Sequence, residues 1–174
     1  MALIRNVKMK LTNECADEQS RMNDLDFLQL ALDEAIAAGR SGEVPVGAVI
    51  VQGDVVLARA QNRVLRDNDP TAHAEVVALR AAGQALGNHR LNGCTMFVTL
   101  EPCSMCAGAL VHARVDRVVY ATADPKAGAA GSVLSVINHP RLNHQMKLDS
   151  GLLAEESSEL LRAFFRERRK ISAE

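Results

Sequence analysis

Apolar side chains at Leu25, Leu28, Ala31, Leu32, Ala35 and Ile36 recur at spacings of three and four, the pattern of a helix that buries one face, and Gly39 supplies a stop. The spacing predicts a helix over 24–38. Two Val-rich runs, 46–51 and 55–60, flank Gln52-Gly53-Asp54 and predict a β-hairpin, with Asn62 just beyond its second strand. Pro70-Thr71 then opens a helix that runs to Leu86, with Asp69 or Thr71 as its cap. A buried strand over 95–100, a helix over 104–113 and a strand over 115–121 follow. Strands joined through a helix pair in parallel while the hairpin is antiparallel, so the sheet is mixed and the class is α/β. After a glycine-rich loop, 124–132, the pattern weakens to a short helical stretch at 133–137, an edge strand at 145–148 and a helix over 155–170. Residues 1–21 carry neither period and read as a flexible extension, which leaves 22–174 as a single domain.

Composition narrows the classes. A chain of 174 residues with 48% hydrophobic content can bury one substantial core. Aromatics make up only 3% and Trp is absent, so that core is built from Ala, Val, Leu and Ile. The formal charge of −1 gives no global basic character, and any nucleic-acid surface must be local. No apolar run approaches the roughly 20 residues that span a bilayer, and the N-terminus lacks a secretory leader pattern, so the expected location is the cytoplasm. Four cysteines are too few for a disulfide scaffold. Cys94 reads as a small buried hydrophobe, and Cys15 falls in the extension.

The chemistry concentrates in His73-Ala74-Glu75 and Pro102-Cys103-Ser104-Met105-Cys106. Together they offer three zinc ligands, His73, Cys103 and Cys106, and one acid left over. A structural zinc is closed by four protein ligands, whereas a catalytic zinc keeps one position for water. Glu75 suits proton transfer rather than ligation. A lone Cys-x-x-Cys would fit a redox pair or half of a structural zinc site, but the pairing with His-x-Glu is the recognised signature of zinc-dependent nucleobase deaminases. Residues two apart on a helix point about 200° from each other. His73 and Glu75 therefore converge only if their helix aims its N-terminus at the metal. The same reasoning places Cys103 just before the next helix and Cys106 in its first turn, where the positive end of the helix favours thiolate.

Over 25–169 the chain resembles the bacterial tRNA-specific adenosine deaminases. The likeness rests on Glu43-Val44-Pro45-Val46-Gly47-Ala48, Asn62-Arg63, 69–75, 98–109, the Lys126-Ala127-Gly128-Ala129-Ala130-Gly131-Ser132 loop, and Phe164-Phe165-Arg166 with Arg168-Arg169. The resemblance implies a three-layer α/β/α cytidine-deaminase-like fold with a five-stranded mixed sheet, and one Zn²⁺ per subunit of a homodimer. It also implies hydrolysis of the wobble adenosine of a tRNA anticodon stem-loop to inosine, with Glu75 as the proton shuttle. By matching positions, Asn62 binds the flipped base, Asp124 and Lys126 lie against neighbouring nucleotides, and Phe165 and Arg168 on the last helix contact the anticodon loop. Ala127 departs from the family, which often carries a hydroxyl there, and the extension lies outside its pattern. Two rival readings use the same residues. One is a free-base or nucleoside deaminase acting on guanine or cytosine, and the other is a non-catalytic, zinc-stabilised RNA-binding module.

Overall fold

Asn23 accepts the N–H groups of Leu25 and Asp26 with its side chain, and Asp26 accepts the Asn23 N–H in return, a capping box that starts α1 (Asp24–Arg40). The computed structural model describes residues 21–171, so the expected extension, Cys15 included, lies outside the described residues except for Arg21. The hairpin forms as β1 (Gly47–Gln52) and β2 (Val55–Gln61), followed by a short α2 (Val64–Asp67) and by α3 (Ala74–Leu86). Then come β3 (Cys94–Leu100), α4 (Ser104–Ala113), β4 (Arg117–Thr122), β5 (Lys147–Ser150) and α5 (Ala154–Ile171).

The five strands form one sheet in the order β2-β1-β3-β4-β5. β1 runs antiparallel to both β2 and β3, whereas β3, β4 and β5 are parallel. Alternation along each strand feeds two apolar layers. Ala48, Ile50, Met96, Val98 and Val118 pack under α3 and α4, while Val49, Val51, Phe97, Val119 and Ala121 pack with Phe27, Leu28 and Ala31 of α1. α5 runs against β4 and β3 and meets α1. The arrangement is a three-layer α/β/α sandwich around a five-stranded mixed sheet, as expected.

Gly47 is where α1 comes closest to the sheet. A Cβ at this position would sit 2.0 Å from the Ala31 carbonyl oxygen and 2.6 Å from the Ala35 nitrogen, so only glycine admits the contact. Arg117 fixes the other end of α1, donating two bonds to the Asp24 carboxylate at 2.9 and 2.6 Å and a third to Asp149 at 2.7 Å.

The short α2 was not expected and β4 starts at Arg117 rather than 115; four further details differ from the expected layout. α1 continues past Gly39 to Arg40, because the positive φ that ends the helical path falls at Gly42 (85°). α3 starts at Ala74 rather than at Pro70-Thr71. The N–H groups of Thr71 and Ala72 are taken by the Asp69 side chain and carbonyl, so 69–72 forms a turn and His73 itself becomes the N-cap. The stretch 133–137 is not helical. The N–H groups of Val133 and Leu134 bond back to the Gly128 carbonyl and that of Val136 to Ala129, an arrangement that competes with i to i−4 bonding in a β-branched run. The edge strand is shifted two residues onward, to Lys147–Ser150.

Candidate active site

His73 and Cys103 occupy equivalent positions, each the N-cap of its helix with extended backbone and no capping bond from its side chain. Freed from capping, both side chains point beyond the helix ends. His73 Nδ1 lies 3.7 Å from Cys103 Sγ and 3.6 Å from Cys106 Sγ, and the three ligand atoms all fall within 4.8 Å of one another. Tetrahedral zinc with ordinary Zn–S and Zn–N lengths sets its nitrogen and sulfur ligands about 3.6 Å apart. The donor set and its spacing therefore fit zinc, held where two helix N-termini converge.

The electrostatics of the three ligands agree. The bond from Cys106 pulls the Cys103 thiol down to about 4 against the opposing cost of burial, with His73 and the Cys106 N–H adding to the effect. The same shared proton, together with burial, pushes Cys106 up. His73 is raised, first by its bond with Cys103. The shared proton favours thiolate on Cys103, and a cation would displace that proton from the pair.

Glu75 is 4% exposed, one residue into α3 beyond Ala74. Burial raises its carboxyl above the ordinary range, partly offset by its own backbone N–H and by His73. It faces the same cavity as His73 and Cys103, a hollow of about 470 Å³ also lined by Glu43, Val44, Asn62, Leu65, Glu101, Asp124, Ala127, Phe164 and Arg168. A buried acid that is raised and lies beside three metal-ligand candidates is suited to moving a proton.

The remaining predicted residues divide between this cavity and a groove next to it. Asn62 lies in the cavity, but much of its amide is already engaged. Its oxygen accepts the Ala74 N–H at 2.9 Å, capping α3 in place of His73, and its nitrogen donates to the Val44 carbonyl at 3.1 Å. One amide hydrogen and one lone pair are left for a base. Asp124 lines the cavity while its carboxylate accepts the N–H groups of Lys126 and Ala127. Arg168 also lines it, donating to the Gly42 carbonyl and lying over the Phe164 ring at 5.2 Å. Lys126 and Phe165 line the outer groove with Arg162, Arg166 and Arg169, and Phe164 rather than Phe165 reaches the cavity. The two rings meet edge to face at 5.4 Å.

Two buried carboxylates went unnoticed in the sequence. Glu43 and Glu101 are each 2% exposed and both line the cavity. Glu43 accepts the Arg66 N–H of α2 at 2.8 Å. Nothing in the residue pattern separates such acids from surface ones, because their partners are backbone N–H groups brought in from distant loops.

A family model described as MafB19-like deaminase matches residues 22–169. A tRNA-specific adenosine deaminase of Agrobacterium fabrum is 49% identical over 143 residues, covering 82% of this chain and 94% of that protein. The chain belongs to the tRNA-specific adenosine deaminase family. A structure solved in studies of A-to-I editing by tRNA:A34 deaminases at the wobble position of transfer RNA superposes on it with a TM-score of 0.75 at 47% identity, covering 78% of this chain and 98% of the other. A guanine deaminase from Bacillus subtilis is more distant, with a TM-score of 0.58 at 34% identity over 86% of this chain and 95% of that one. Within the family, the deaminase motif falls on the residues that the two helix starts bring together.

Proposed function

We propose that this protein hydrolytically deaminates adenosine to inosine at the wobble position, 34, of tRNA, binding the anticodon stem-loop as a homodimer with one zinc per subunit, in the cytoplasm. The observation that carries the reading is a buried Glu75 lining the same cavity as His73 and Cys103, which with Cys106 form one cluster of metal-ligand atoms. The substrate follows from the relatives: identity is 39% to 49% with tRNA-specific adenosine deaminases and 34% with the guanine deaminase. No helix among the described residues is long and apolar enough to cross a membrane.

Zinc bound by His73, Cys103 and Cys106 supplies the Lewis acidity that makes water nucleophilic near neutral pH. Two thiolates blunt that acidity, so a base is needed, and Glu75 takes the proton as water attacks the amine-bearing carbon. Glu75 gives that proton to the ring nitrogen, takes the remaining proton from the newly added hydroxyl as the carbonyl forms, and delivers it to the departing amine, so that adenosine and water become inosine and ammonia. Asn62 offers its remaining amide hydrogen and lone pair to the base edge. An unpaired anticodon base enters such a cavity without the cost of opening a duplex. Asp124, Lys126, Phe165 and Arg168 contact the flanking nucleotides.

The test is inosine formation on an adenosine-34 stem-loop, run beside ammonia release from free adenosine, cytidine and guanine, with wild type and Glu75→Ala. Inosine from RNA alone, lost in the variant, supports the reading. Turnover confined to guanine would transfer the same chemistry to the guanine deaminase alternative, which the 34% identity with the Bacillus subtilis enzyme favours as the second reading.

A further inference from the structure

Glu101 takes no part in the proton transfers above, yet it is 2% exposed and sits on the wall of the catalytic cavity, two residues before Cys103. Its carboxylate is committed to a single segment. Oε2 accepts the Asp124 N–H at 2.9 Å and the Ser132 hydroxyl, and Oε1 accepts the N–H groups of Ala130 at 2.9 Å and Ser132 at 3.1 Å. The loop thus closes on one side chain from both of its ends. Around this contact the Ala129 N–H donates to the Pro102 carbonyl at 2.9 Å, and Gly128 forms a bridge with Cys103 itself. The approach is so close that a Cβ at Gly128 would lie 2.3 Å from Glu101 Oε2 and 2.6 Å from the Asp124 carbonyl oxygen.

Within the loop only Ala129 and Ala130 bring apolar surface to the core, and just past it Val133 and Leu134 are each 49% exposed. Burying a carboxylate is costly unless its acceptor sites are filled, and here the filling groups all belong to the segment that carries Asp124, Lys126 and Ala127. The peptide that leads into the metal-ligand motif and the loop that faces the substrate are therefore held through one side chain.

We propose that Glu101 is a positioning residue that sets the substrate-facing loop, 124–132, in register with His73, Cys103, Cys106 and Glu75. This rests on the RNA deamination reading above. Glu101→Gln keeps the size of the side chain but turns an amide donor against N–H groups that need an acceptor. Amide exchange across 124–132 is expected to accelerate about tenfold, and KM for the adenosine-34 stem-loop to rise about tenfold, while kcat per bound zinc stays within about threefold. Glu101→Asp keeps both acceptor oxygens and is expected to recover part of both effects. Ser132→Ala removes one donor pair member at the outer end of the loop, and it supplies the same signs with smaller size should Glu101→Gln fail to fold. A fall in kcat per zinc at unchanged KM, or exchange across 124–132 equal to that of wild type, would overturn the proposal. If wild-type protein converts no RNA, it is the substrate reading that has failed. The exchange measurement then decides by itself whether Glu101 holds the loop.

Discussion

The floor of the cavity and its rim are built by different means. At the floor, His73, Glu75, Cys103 and Cys106 sit at the first turns of α3 and α4, on backbone that the sheet and the helix pair hold in place. At the rim, Lys126 and Phe165 are long side chains on a loop and on α5, where Phe165 is 44% exposed, and Arg168 of the same helix reaches in to line the cavity. A metal with tetrahedral demands tolerates little displacement of its ligands, whereas stacking on a splayed base and pairing with phosphate tolerate more. Under the proposed function, chemistry falls to regular elements and substrate reading to adaptable ones, with the proposed role of Glu101 joining the two.

The comparison can be broken most severely at the floor. Cys106→Ala is expected to lose the metal, abolish turnover and lower Tm by about 10 °C, because binding free energy at a protein-built site also contributes to folding; metal analysis and calorimetry check it. Glu75→Gln separates chemistry from architecture. Turnover should fall about 10³-fold with zinc retained, and Tm should not drop, since burial already disfavours the charged carboxylate. At the rim, Phe165→Ala should raise KM for the stem-loop about tenfold at unchanged kcat, metal content and Tm, since the ring is exposed and its partner is stacking. A fall in kcat instead would place Phe165 with the floor. The smallest effect is one of reactivity. In metal-stripped protein Cys103, held at about 4, is thiolate at pH 6, whereas burial pushes the Cys94 thiol up. Iodoacetamide at pH 6 should label Cys103 before Cys94, the preference should fade as pH drops through about 4, and added zinc should suppress it.

Much of the floor was legible before any coordinates. Apolar spacing located α1 and the strands, and the motif with its two-residue and three-residue gaps required both helices to be seen end-on. At the start of α3 the expectation missed because a tertiary partner had intervened. The helix expected from Pro70 begins instead at Ala74, because Asn62, twelve residues upstream, supplies its cap and leaves His73 outside. The basic run on α5 is likewise partly spent within its own helix, Arg162 pairing with Glu155 and Glu159 at 2.7 and 3.1 Å, and Arg166 with Glu159 at 3.5 Å.

Residue order by itself determined which groups have the ligand chemistry for zinc, which acid stands outside that set, and which faces of the elements are buried, because ligand type and periodicity are local properties. Only the tertiary structure decided that Phe164 rather than Phe165 enters the cavity, that Asn62 divides its amide between capping and the pocket, and that Glu101 grips the loop at 124–132. The last two are bonds from side chains to backbone groups distant in the chain. Every residue carries the same N–H and C=O, so the sequence does not label which of them a buried acid or amide will find.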